Sequence, residues 1–109
     1  MGKAGLTLGP IAVVIAKNRL EHVLARHAAN TLAQNVGKFA AGMERQQIEG
    51  LINAALSDAS TMITPGTKVT FYDLDFGVHI GTNQAGQATT AIRVLVDNVT
   101  KQPITGYPK

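Results

Sequence analysis

The sequence predicts an α+β domain in which N-terminal helices pack on a C-terminal antiparallel sheet. Three observations carry that prediction. Apolar residues recur at helical spacing in the first half, once as Leu20, Val23, Leu24 and Ala28, and again as Ile48, Leu51, Ile52, Ala55 and Leu56. Pro65-Gly66 then marks a turn, and after it the apolar period changes to two. Helices first and strands after are the order of an α+β fold.

The first helix is expected to start near Pro10, whose fixed φ and missing N–H suit a first turn, and to run to about Ala33. Gln34 to Gly42 reads as a connector carrying Gly37 and Gly42. The second helix is expected from about Glu44 to Leu56; Gly50 weakens it by up to about 1 kcal/mol against Ala. Ser57-Asp58-Ala59-Ser60 ends it. Val69 and Phe71 alternate with Lys68, Thr70 and Tyr72 in a first strand, and Phe76 to Ile80 is expected as a second short one. Gly81 to Gln87 is a polar loop. Thr89 to Asp97 is the clearest strand, with Thr90, Ile92, Val94 and Val96 on one face and Thr89, Ala91, Arg93, Leu95 and Asp97 on the other. Asn98 to Gln102 is a hairpin connection into a final strand, Pro103 to Tyr107.

At 109 residues the chain fits one domain that can bury a core without staples. Residues 1–18 read as a linker or the start of the first helix, and residues 19–109 as the working domain. The hydrophobic fraction of 45% and charged fraction of 16% are globular values. There are no cysteines, which excludes disulfides, thiolate catalysis and cysteine-ligated metal centres. A formal charge of +3 is mildly basic and allows an anionic partner. The apolar run Ile11 to Ala16 is stopped by Lys17 and Arg19, far short of the about 20 residues of a membrane span, so no stable membrane insertion is expected. Lys3 is a thin basic start for a secretory signal, and no clear cleavage site follows.

Histidine leads the candidate chemistry because it titrates near neutral pH. His22 and His27 are five positions apart, about 140° around a helix, so they do not share a face unless the helix breaks near Ala28. His27, near the helix end and beside Arg26, is the stronger candidate. His79 reads as structural. The His-x4-His spacing is not the one-face pair that clamps zinc, and neither a metal nor another cofactor is expected. Lys38, beside Gly37, could reach a phosphate with its ammonium. Arg93 is a phosphate fork if its strand face lines a cleft. On the last strand Thr105 and Tyr107 project together, with Gly106 between them leaving room for a substrate or another backbone. Imidazole, cation, hydroxyl and phenol together suit attack of a ribose 2′-hydroxyl on its own phosphate. The imidazole moves the proton, Lys or Arg with the Thr hydroxyl stabilises the phosphorane, and Tyr orients the nucleotide.

The stretches Glu21 to His27, Gly37-Lys38-Phe39, Ile48 to Leu56, Thr89 to Val96 and Ile104-Thr105-Gly106-Tyr107-Pro108 resemble the barnase–EndoU–colicin–RelE-like ribonucleases. More narrowly, they are similar to the C-terminal toxin domains of CdiA-type contact-dependent growth inhibition proteins. The resemblance implies a metal-independent ribonuclease, often acting on tRNA, delivered from a larger cell-surface protein into a neighbour's cytoplasm and neutralised by an immunity protein. It leaves open a need for a host translation elongation factor. Carried over, His27 is the general acid or base, His22 the second imidazole, Lys38 a catalytic cation, and Thr105 and Tyr107 complete the site. Arg93, Arg26 and Thr90 are substrate-binding candidates on chemistry alone. The chain lacks the Gly-rich stretch that EndoU-like members carry before their second histidine. The competing readings are a non-catalytic binding or structural module of a phage or secretion system, and a toxin of another chemistry on a related scaffold, such as a deoxyribonuclease or a nucleotide-modifying enzyme.

Overall fold

The computed structural model describes residues 14–31 and 35–109. Its elements run α1 (Lys17–His27), β1 (Lys38–Phe39), α2 (Arg45–Ser57), β2 (Met62–Pro65), β3 (Val69–Asp75), β4 (Gly81–Thr82), β5 (Ala88–Thr89), β6 (Ala91–Asp97) and β7 (Pro103–Pro108). Two antiparallel sheets form, one in the order β2-β3-β6-β7 and a small one in the order β1-β4-β5. The architecture is α+β.

Helix α1 buries Leu20, Val23 and His27, which fall on one stripe at spacings of three and four. It is shorter than expected. The expected start at Pro10 lies outside the described residues, and Val14 to Ala16 are not helical. At the other end Ala28 turns extended, and its N–H closes on the Leu24 carbonyl. The expected extension towards Ala33 therefore does not form; Leu32 to Gln34 lie outside the described residues. Helix α2 matches its expected span. Glu44 caps it, and the Gln47 side chain bonds back to the Glu44 N–H at 2.7 Å, a capping box that satisfies two otherwise open donors.

Period-two burial makes β3 and β6 the backbone of the larger sheet. Tyr72, Leu74, Ile92, Val94 and Val96 point inward, onto Ile48, Ile52, Ala55 and Leu56 of α2. Each such aliphatic side chain, removed from water, contributes about 1.5–3 kcal/mol. Helix α1 packs instead on the edge strand β7 and on β1. The expected strand Phe76 to Ile80 is an irregular connection; the chain resumes pairing at β4, inside the expected loop. Strands β1, β2, β4 and β5 have two to four residues, too few for alternation to register.

One irregularity in β7 decides the site. Leu95 pairs with Thr105 but Val96 pairs with Pro103, so Ile104 is an extra residue in the ladder. Pro103, Gly106 and Pro108 all end up buried, while Thr105 and Tyr107 share the outer face. Gly106 faces inward, not toward a substrate. A Cβ there would lie 3.1 Å from Ile52 Cγ1 and 3.2 Å from Val94 Cγ2, so the glycine admits helix α2 to the sheet. The turn before β7 is held by Asp97, whose Oδ1 accepts the N–H groups of Val99 and Thr100 at 2.7 and 2.9 Å.

Candidate functional site

A cavity of about 570 Å³ opens where four pieces meet: the C-terminal end of α1, residues Asn35 to Gly37, the β4–β5 loop at Asn83 to Ala85, and the outer face of β6 and β7. Helix α1 contributes His22, Arg26 and His27; the sheet contributes Arg93, Thr105, Tyr107, Pro108 and Lys109.

His27 is the most constrained of these. It is the last residue of α1 and only 6% exposed. Its Nδ1 lies 2.6 Å from the Gly37 carbonyl oxygen. A carbonyl only accepts, so Nδ1 carries the hydrogen, and Nε2 is left with a lone pair in the neutral ring. Burial lowers the imidazole's affinity for a proton, partly opposed by the Gly37 bond and assisted by Arg26 and His22. Gly37 is required for this arrangement. It is buried, and a Cβ there would overlap the Pro108 carbonyl oxygen where the chain passes beneath β7. The His27 ring also rests against Tyr107, with centroids 5.2 Å apart and planes tilted 31°. Burial pushes the Tyr107 phenol up, opposed by the Arg93 guanidinium near it.

Arg93 does reach the cavity, but its guanidinium is engaged. Asp73, Arg93 and Tyr107 sit side by side on β3, β6 and β7. Arg93 Nε and Nη2 each donate to Asp73 at 2.9 Å, and Lys109 Nζ donates to the same carboxylate at 3.2 Å. Burial alone would raise the Asp73 carboxyl; the bonds from Arg93 and Lys109 outweigh it and hold the group below the usual range. The guanidinium lies over the Phe71 ring, 4.5 Å from its centroid. Thr105 Oγ1 is buried in the same wall and has no hydrogen-bond partner among the described residues.

The structure thus gathers His27, His22, Arg26, Arg93, Thr105 and Tyr107. His22 and Arg26 are exposed. Both imidazoles line the cavity despite their angular separation, the exposed His22 from its rim and the buried His27 from its wall. Two expected residues are elsewhere. Lys38 donates to the Thr31 carbonyl at 3.2 Å and lines a smaller depression with His79; the Gly37 carbonyl takes the position nearest His27, and the next side chain of the strand leaves the cavity. Thr90 falls in the gap between β5 and β6, where Oγ1 donates to Asp75 at 2.7 Å. Sequence reasoning missed Asn35, Asn83, Gln84, Lys109 and Asp73. Asn35 gives a signal, since its left-handed φ of 57° is one that asparagine tolerates. Asn83 also gives one: its Oδ1 accepts the Ala85 and Gln87 N–H groups, each at 3.0 Å, as turn asparagines do. Asp73 and Lys109 meet Arg93 only through strand register.

Among the described residues, no three His, Asp or Glu side chains cluster so as to hold a metal ion, and no helix is long and apolar enough to cross a membrane. No family model, curated protein or solved structure significantly matches this chain.

Proposed function

We propose that the chain is a metal-independent endoribonuclease, a tRNase-type toxin domain of the barnase–EndoU–colicin–RelE-like kind that CdiA-type proteins carry. The observation that carries this reading is His27: its charged form disfavoured by burial, its Nδ1–H fixed by the Gly37 carbonyl, and its Nε2 left as the proton acceptor at a cavity that also holds a second imidazole and three cationic side chains. In the proposed reaction His27 Nε2 takes the proton of a ribose 2′-hydroxyl, and the 2′-oxygen forms a bond to its own phosphorus. The bond from phosphorus to the 5′-oxygen breaks, and His22 returns a proton to that leaving oxygen. Arg93 stabilises the phosphorane, the Thr105 hydroxyl joins it on rotating out of the wall that buries it, and Tyr107 orients the nucleotide. DNA has no 2′-hydroxyl and is not a substrate. On this reading an acidic immunity protein covers the cavity, a translation elongation factor is a candidate activator, and the chain reaches a target cell's cytoplasm from a larger secreted protein.

The test is incubation of the purified chain with total tRNA in EDTA. Cleavage leaving 2′,3′-cyclic phosphate ends, abolished in His27→Ala while the thermal melt persists, is the expected result. Undiminished cleavage by His27→Ala removes this assignment. Intact RNA with and without an elongation factor, and no toxicity on expression, favours a non-catalytic binding module of a phage or secretion system, a reading to which the engaged Arg93 lends some support.

A further inference from the structure

We propose that Asp73 is the positioning residue of this cavity, holding Arg93 and Lys109 in place for a phosphodiester without touching it. Four observations point there. Both carboxylate oxygens are engaged: Oδ1 accepts from Arg93 Nε, and Oδ2 accepts from both Arg93 Nη2 and Lys109 Nζ. Its side chain is only 11% exposed, so it underlies the two cations and does not compete for solvent with them. The contact takes the side edge of the guanidinium, Nε with Nη2, so that the end edge, which carries the Nη1 hydrogens and the second Nη2 hydrogen, is shared only with the neutral Tyr107 hydroxyl, a partner a phosphate can displace. Phe71 lies beneath the guanidinium and limits its rotation, while Tyr107 approaches it from the neighbouring strand.

An end-on guanidinium edge matches two oxygens of a phosphate. An arginine free in solvent would need to give up side-chain freedom on binding; this one is already ordered by a carboxylate and a ring. The cluster keeps one net positive charge, because two cations share one anion. Beside it lie Arg26 and the buried Thr105 hydroxyl, which lacks a partner among the described residues. The ligand class is therefore a phosphate group, and in the reading above it is the scissile phosphodiester of RNA; the placement of Asp73 deepens that reading and rests on it for the identity of the substrate.

The sign of one affinity change tests the proposal. Asp73→Asn raises the net charge by one, so if Asp73 merely neutralises the cavity, the variant binds phosphate more tightly. If Asp73 positions Arg93, the variant binds more weakly despite its added charge. Inorganic phosphate is titrated into the wild-type chain, Asp73→Asn, Asp73→Glu, Arg93→Lys and the double variant Asp73→Asn/Arg93→Lys, followed by the NMR signal of the Arg93 Hε, the His27 ring and the backbone amides. The expected result is weakening by about tenfold in Asp73→Asn and in Arg93→Lys, no further loss in the double variant, and partial recovery in Asp73→Glu. Backbone spectra and melting curves keep the variants comparable, and Arg93→Lys remains informative if Asp73→Asn does not fold. Tighter or unchanged binding in Asp73→Asn, or no phosphate shift at the cavity in wild type, overturns the proposal. Cleavage of tRNA is followed in parallel to separate the two readings. Cleavage with unchanged phosphate affinity across the set sinks the role of Asp73 alone; the expected affinity pattern without any cleavage sinks the ribonuclease.

Discussion

Gly37→Ala should damage the site without touching any charged group. The added Cβ would overlap the Pro108 carbonyl oxygen, a backbone atom near the end of β7 that cannot rotate away. Either the segment before β1 or the end of β7 must move, by something on the order of an ångström given ordinary van der Waals spacing. The first casualty is the bond between the Gly37 carbonyl and His27 Nδ1, which at 2.6 Å has no slack. Forced repacking in a tight interior costs about 1–3 kcal/mol, and a buried polar group that loses its partner costs about another 1–3 kcal/mol. Around 3 kcal/mol is a reasonable total, and for a domain near 100 residues that lowers Tm by roughly 12–24 °C.

The imidazole supplies the second readout. The Gly37 bond raises its proton affinity and burial lowers it. Loss of the bond with the ring still buried should therefore move the His27 titration further down, measured from its ring proton shifts by NMR. Differential scanning calorimetry and this titration together decide the matter. A Gly37→Ala protein with wild-type Tm and an unmoved His27 titration would refute both the packing of β1 under β7 and the assignment of the Nδ1 hydrogen.

The remaining predictions follow from the same neighbourhood. His27 is held below its ordinary value of 6.5, so below about that pH the unfolded chain binds the proton more readily than the folded one; stability is complete above this range and falls as pH drops through it, and His27→Gln should flatten that slope in urea titrations while the acid loss tied to Asp73, below its ordinary 3.8, remains. Gly106→Ala should cost about 1–3 kcal/mol by pressing on Ile52 and Val94, and a stability within error of wild type would show that α2 is free to shift. Thr105→Val should raise stability by about 1 kcal/mol, because it removes a buried hydroxyl that has no partner among the described residues, and on the proposed reading it should lower turnover on tRNA; a loss of stability would mean that the hydroxyl is partnered in the folded chain.

The sheet's two long strands and the second helix were legible because their patterns are long enough to repeat. Ile92, Val94 and Val96 alternate over a full strand, and Ile48, Ile52 and Leu56 hold a helical stripe with a capping box in front. The first helix was overextended because nothing in Ala28-Ala29-Asn30 forbids a helix; its end is set by packing of His27 against Gly37 and Tyr107, contacts with no local signal. Thr105 and Tyr107 were legible as a pair from alternation. For their inner neighbour Gly106 the sequence leaves two occupants open, a substrate or another part of the chain, and it is helix α2 that comes close, since a glycine that admits a substrate and one that admits a helix look alike in sequence. Lys38 was misplaced for a similar reason: Gly37 and Lys38 are adjacent, but only the glycine's carbonyl turns toward the imidazole. Asp73 lies 20 positions before Arg93 and 36 before Lys109, and only the pairing of β3 with β6 reveals that the three form one cluster.

Around this cavity two local preferences are set aside together. An imidazole is buried where its charged form is disfavoured, and a hydroxyl is buried without a hydrogen-bond partner among the described residues. Much of the rest obeys its rules: the capping box of α2 is complete, and Asp97 holds the β6–β7 turn, although Lys101 in that turn takes a left-handed φ of 63°. On the proposed reading a ligand gives the buried imidazole and the buried hydroxyl a common cause: a phosphate group accepts from the Arg93 guanidinium and is favoured by the cations already gathered on the rim. The same reasoning makes the cavity separable from the fold. A change that relieves one of these terms should stabilise the free chain and weaken its chemistry, whereas a change to the inner face should lower both together.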